Sequence, residues 1–167
     1  MIKYFTFSLS VTFVSWIVGM IINAFLVKTE FYKTSLSNLN FIKSKFLNKA
    51  IGIGIIKWIV KNTFFKYFNP KLTIKNINEV NTLRHEMTNA EISHLIAFLA
   101  VSIFAATKIF NQQYLLAFIM MIINTIMNLY PSLLQQENKR RLDKLRLRFL
   151  SYSSSEYAVK SEQDLIK

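Results

Sequence analysis

The chain has 167 residues, room for one domain, and its 52% hydrophobic content, 15 phenylalanines and only 3 glycines and 2 prolines describe helices in lipid, not an ordinary soluble fold. Without cysteine there is no disulfide, thiolate metal site or thiol nucleophile. The net charge of +12 flanks long apolar runs instead of interleaving with aromatics on one soluble face, which argues against a nucleic-acid partner and for membrane orientation.

From Phe5 to Val27 the only polar residues are Ser, Thr and Asn23. At about 1.5 Å per residue this stretch covers a hydrocarbon core of roughly 30 Å, so residues 5–27 read as the first spanning helix. The stretch exceeds a signal h-region and no Ala-x-Ala site follows it, so it is expected to be retained. Trp16 and Asn23 are expected to face neighbouring helices, since an amide in lipid seeks an interhelical partner; packing is their expected role. Residues 28–48 turn polar and read as a surface linker with at most a short helix. Over residues 51–67, Lys57, Lys61 and Lys66 interrupt an apolar segment about once per turn beside Trp58, which suits an amphipathic helix lying in the headgroup plane. A re-entrant or spanning helix is the alternative. Gly52 and Gly54 are no phosphate loop, because no Lys-Ser/Thr follows them.

Asn69-Pro70 ends that segment, and a polar stretch with a short helix expected over Glu79 to Met87 leads on to Thr88. Both histidines then fall within Arg84-His85-Glu86-Met87-Thr88-Asn89-Ala90-Glu91-Ile92-Ser93-His94, at the mouth of an apolar run. Ionisable groups are costly there, and such residues are functional-site hypotheses by default. Glu91 and His94, three apart, share a helix face, so Glu91 is placed to hold the imidazole in one tautomer while its other nitrogen works as a base. The competing reading makes Thr88-Asn89-Ala90-Glu91 a capping box at a helix start, and His94 an interfacial histidine bonded to a neighbouring helix. The second span is predicted over 90–110 and the third over 114–134, joined by the tight turn Asn111-Gln112-Gln113 as an antiparallel hairpin. Asn124 and Asn128 sit one turn apart on the third span and need partners, with Asn128 nearer His94 in depth. Pro131 is expected to kink or end this helix. A basic amphipathic helix to about Leu150 and a flexible tail, 151–167, follow.

Residues 28–91 hold eleven Lys and Arg side chains and residues 135–167 hold eight, against Lys3 and Lys108 on the opposite side. The positive-inside rule therefore predicts an outside amino terminus, with the long loop and the C-terminal segment cytoplasmic, in a cell inner membrane. The fold expected is an all-α integral membrane protein with three spans, residues 1–150 forming a single helical domain.

The ordered set Asn89-Ala90-Glu91-Ile92-Ser93-His94, Asn124, and Tyr130-Pro131 through Gln135-Gln136-Glu137-Asn138-Lys139-Arg140-Arg141-Leu142 resembles a family of small membrane acyltransferases, the glycosyl-4,4'-diaponeurosporenoate acyltransferases. That family carries Ala-Glu-x-x-His at a helix start, an Asn in the next membrane helix, and a Gln-Arg-Tyr-Asn-Arg-x-Arg-Leu type motif. Here Gln136 and Glu137 replace Arg and Tyr, and Lys139 replaces an Arg, keeping the charge without the bidentate fork. The resemblance covers mainly 51–147 and implies transfer of a fatty acyl chain to a sugar hydroxyl of a carotenoid glycoside.

In that reading His94 is the base, Glu91 orients it, and Asn124 or Asn128 binds the developing oxyanion. Arg84, Lys139 and Arg141 hold the donor phosphates, with Gln135 and Asn138 as further substrate contacts from the motif. No metal or bound cofactor is expected, and acyl-CoA is the donor considered. There is no His-x-x-x-x-Asp box, since Ala90 and Leu99 occupy the Asp positions after His85 and His94. The other class considered is a non-enzymatic accessory subunit of a larger inner-membrane complex, with membrane lipids and other subunits as partners. An enzyme needs a cavity reaching His94. A subunit needs its polar residues closed against neighbours.

Overall fold

A computed structural model of the chain describes residues 1–41 and 76–165, with positions 52, 54, 58, 62 and 74 between them, and side chains as far as Tyr152. The described helices are α1 (Ile2–Leu26), α2 (Glu30–Thr34), α3 (Ile77–Phe110), α4 (Tyr114–Asn124) and α5 (Tyr130–Leu165), with a 3-10 turn at Leu36–Asn38 and a π-helical turn at Thr125–Leu129. Among the described residues, three helical stretches are long and apolar enough to cross a membrane: Ile2–Leu26, Ile77–Phe110 and Tyr114–Tyr152. The protein is an all-α membrane protein. The interfacial helix expected over 51–67 lies outside the described residues, isolated positions excepted. Helix α5 continues to Leu165, across most of the segment read from sequence as a tail.

The buried residues of α1 are Ser8, Thr12, Gly19 and Asn23, while Phe5, Phe13, Val14, Ile17 and Ile21 are exposed. This inverted pattern is what lipid imposes: apolar side chains face the solvent they match, and small or polar residues let helix backbones approach. Gly19 marks the closest approach, because a Cβ there would collide with the Ser93 carbonyl and lie 3.3 Å from the Ala97 nitrogen. α1 and α3 run antiparallel. Asn23 meets Asn89 and Ser93 at one end, and Phe7 meets Phe104 at 6.4 Å between ring centroids at the other. Lys108 closes that second end, its ammonium 4.7 Å from the Phe104 ring centre. An apolar cluster of Val101, Ala105, Leu116 and Met120 joins α3 to α4. The hairpin between them turns at Gln112, whose φ of 59° lies in the left-handed region.

Two sequence expectations about helix ends change. α3 begins at Ile77 and not near residue 90, with Asn76 as its cap: the Asn76 side chain accepts from the Glu79 N–H at 2.9 Å and donates to the Glu79 carboxylate at 3.0 Å. Thr88 sits inside the helix and donates back to the Arg84 carbonyl at 2.8 Å, so the capping box at Thr88 is not formed. No Gly or Pro interrupts 77–110, and burial of Val80 and Thr88 carries the helix through its polar stretch.

Pro131 does not end the third span. It lacks an N–H and its ring crowds the carbonyl four residues back, so the regular ladder fails there. The chain widens into a π turn at Thr125–Leu129, where the Tyr130 N–H reaches the Thr125 carbonyl, and the helix then resumes. Asn128 lies within this widened turn, buried.

Candidate functional site

A groove of about 490 Å³ lies between α1 and α3, lined by Trp16, Met20, Ala24 and Val27 from one helix and Asn89, Ala90, Ser93 and His94 from the other, with Asn23 at its polar end. The imidazole of His94 stacks on the Trp16 indole, with centroids 5.5 Å apart and planes within 10°. Its Nδ1 lies 3.2 Å from Asn128 Oδ1. Among the described residues Nε2 has no hydrogen-bond partner. The ring is thus held on one face by Trp16 and at one nitrogen by Asn128.

Behind Asn128 the bonds continue into α3. Asn128 Nδ2 donates to Asn124 Oδ1 at 2.9 Å, and Asn124 Nδ2 donates to the Phe98 carbonyl at 3.0 Å and to Ser102 Oγ at 3.3 Å. Ser102 in turn donates to the Phe98 carbonyl at 2.7 Å. Both asparagines are fully buried. Their one-turn spacing did place them together, with Asn128 nearer the histidine, but the oxyanion role does not suit them: Asn124 spends its amide hydrogens inside the bundle and neither residue is accessible.

Glu91 does not orient His94. Its carboxylate instead forms a buried ion pair with Lys139 of α5. Lys139 also donates to the Ser37 carbonyl at 3.2 Å. Residues following α2 are strapped over this pair. Phe41 N–H donates to Gln136 Oε1 at 3.0 Å and Arg140 donates to Asn40 Oδ1 at 2.7 Å. Lys139, expected to hold a donor phosphate, is buried and already paired with Glu91, so it is not free to take one. A lone carboxylate among packed helices needs a cation, and only the tertiary fold supplies one.

The remaining predicted residues gather at the same end of the bundle. Arg84 pairs with Asp143 at 2.6 Å, exposed Arg141 pairs with Glu137 at 3.2 Å, and Asn138 donates to Gln135 at 3.5 Å. Sequence reasoning gave packing roles to Trp16 and Asn23 and did not single out Tyr32 or Ser102. Asn23 Nδ2 donates to the Asn89 carbonyl at 3.0 Å and Ser93 Oγ at 3.3 Å, while the Tyr32 hydroxyl donates to Asn89 Oδ1 at 2.7 Å. Burial, helped by the nearby Glu91 carboxylate, pushes the Tyr32 hydroxyl up to about 12. The sequence signal was present for Asn23, an amide in an apolar run. For Tyr32, in a polar linker, there was none.

No curated protein and no solved structure matches this chain. A family model does, over residues 28–148, a region that holds α2, α3, α4, the first half of α5 and hence His94, Asn124, Asn128, Glu91 and Lys139. On that match the chain belongs to the glycosyl-4,4'-diaponeurosporenoate acyltransferase family.

Proposed function

We propose that the protein transfers a fatty acyl group from acyl-CoA to a hydroxyl of a glycolipid or carotenoid glycoside, with His94 as general base. The observation that carries this reading is the groove reaching His94, whose ring is held by Trp16 and Asn128 while Nε2 has no hydrogen-bond partner among the described residues. As the acceptor oxygen attacks the acyl carbonyl, Nε2 takes its proton. The new ester C–O bond forms, the thioester C–S bond breaks, and the imidazolium returns the proton to the leaving thiolate. The apolar walls Trp16, Met20, Ala24 and Val27 suit the hydrocarbon chain. Arg84, Gln135, Asn138 and Arg141, at the basic end of the bundle, are the contacts for the donor headgroup.

Charge distribution supports a cytoplasmic site. Lys3 and Lys108 mark the outer side, and Arg84 through His94 lie toward the basic inner side. Since the chain has no cysteine, Glu86→Cys, in the polar first third of α3, and Gln112→Cys, in the turn after it, report this directly by labelling from each side of the membrane; equal accessibility from one side rejects the topology. An accessory subunit would have its polar residues closed against neighbours. Glu91, Asn124 and Asn128 are closed in this way, and the opening at His94 favours the enzyme.

The test is His94→Gln in membranes supplied with labelled long-chain acyl-CoA and glycolipid acceptors. Removing a general base typically costs about 10²–10⁴-fold, so labelled product should fall by that factor at normal membrane abundance. Undiminished product in this variant rejects the base.

A further inference from the structure

We infer that Asn124 and Asn128 are positioning residues that lock His94 in the Nδ1–H tautomer, through a hydrogen-bond relay anchored on the Phe98 carbonyl. The direction of the relay follows from its anchor. A peptide carbonyl only accepts, so the Asn124 atom facing Phe98, 3.0 Å away, is its amide nitrogen. Asn124 therefore turns its oxygen to Asn128, and the facing atom of Asn128, at 2.9 Å, is its nitrogen. Asn128 in turn presents its oxygen to His94 Nδ1 at 3.2 Å. With the ring neutral, an Nε2–H tautomer would set two acceptors face to face in a buried site, a costly arrangement. The Nδ1–H form pairs, and its lone pair on Nε2 is left unbonded among the described residues.

Ser102 supports the anchor from the side. It donates to the Phe98 carbonyl at 2.7 Å, so its oxygen is free to accept from Asn124 at 3.3 Å. The π turn at Thr125–Leu129 carries Asn128, and the extra residue in its turn changes the direction in which that side chain leaves the helix. Every polar hydrogen named here points away from the groove, toward Phe98. The relay rests on the acyltransferase reading only for its purpose, since the tautomer itself is a property of the resting chain.

The test uses the full chain in lipid nanodiscs, with isotope-labelled histidine and a His85→Gln background that leaves His94 as the only imidazole. Nitrogen chemical shifts, read at a pH where the ring is neutral, should show a pyrrole-type Nδ1 and a pyridine-type Nε2. Asn128→Leu, and Asn124→Leu one link further off, should each turn this into a mixture of tautomers. Ser102→Ala, which leaves the Phe98 anchor, should not. Turnover in the leucine variants should fall through kcat with KM little changed, by up to about 10⁴-fold where the wrong tautomer dominates.

An Nε2–H ring in the parent overturns the relay, and so does an undisturbed Nδ1–H ring in the leucine variants. The parent spectrum needs no change in the relay, so it decides the question even if a leucine variant fails to insert. An Nδ1–H parent ring in a chain whose product survives His94→Gln would reject the base and keep the relay. Mixed parent tautomers beside product lost in His94→Gln would do the reverse.

Discussion

The carboxylate of Glu91 and the ammonium of Lys139 meet in the buried seam between α3 and α5. Two charges taken out of water together are tolerable, and one left behind is not: breaking a buried pair from one side typically costs about 3–5 kcal/mol. Lys139→Met should therefore deplete the protein from the membrane. Glu91→Leu combined with Lys139→Met should recover most of that loss, because neither charge remains. Membrane abundance of the single and double variants measures this. A direct role for Glu91 on His94 predicts a different pattern, with Lys139→Met abundant and Glu91→Gln abundant but inactive.

Gly19 sets how closely α1 lies on α3. Gly19→Ala places a methyl group against the Ser93 carbonyl, which is backbone and has no rotamer to yield. Overpacking of this kind typically costs about 1–3 kcal/mol, and a displaced α1 also loosens the Trp16 stack on His94. Both abundance and acyl transfer should fall. Gly54→Ala is the control, since a Cβ there meets nothing within 4 Å, and it should be silent. Normal abundance and transfer for Gly19→Ala would show that the helices do not touch there.

Tyr32 supplies a pH dependence with a definite sign. Its hydroxyl is pushed up to about 12 in the folded protein from the ordinary 10.0, so the fold favours the neutral phenol. The corresponding stability is fully present below pH 10 and is lost as pH rises from there through about 12, where the unfolded chain ionises first. Thermal unfolding in detergent should show a fall across this window that is shallower in Tyr32→Phe. That variant should also start lower at neutral pH by about 1 kcal/mol, the usual worth of its bond to Asn89. Identical slopes for the two chains would reject the assignment.

Length and hydropathy alone determine that this chain is helical and crosses a membrane: the apolar runs at 5–27, 90–110 and 114–134 are too long and continuous for the alternating strands of a barrel, so in lipid the backbone bonds within helices. The polar focus on His94, and the pairing of Asn124 with Asn128, are also local, because one-turn spacing and the cost of a buried amide are properties of the sequence. Tertiary structure decided the partners. Thr88-Asn89-Ala90-Glu91 reads the same whether it starts a helix or runs through one; Lys139, brought in on α5, gives Glu91 its cation, and the helix begins at Ile77, capped by Asn76. Likewise Pro131 announces a disturbance without saying whether the helix breaks or widens, and continued packing of the chain against α3 resolves it as a π turn that presents Asn128 to His94. Trp16 reaches the histidine because Gly19 lets two backbones touch, and depth of contact between helices is set by the facing surface, which no single stretch of sequence contains.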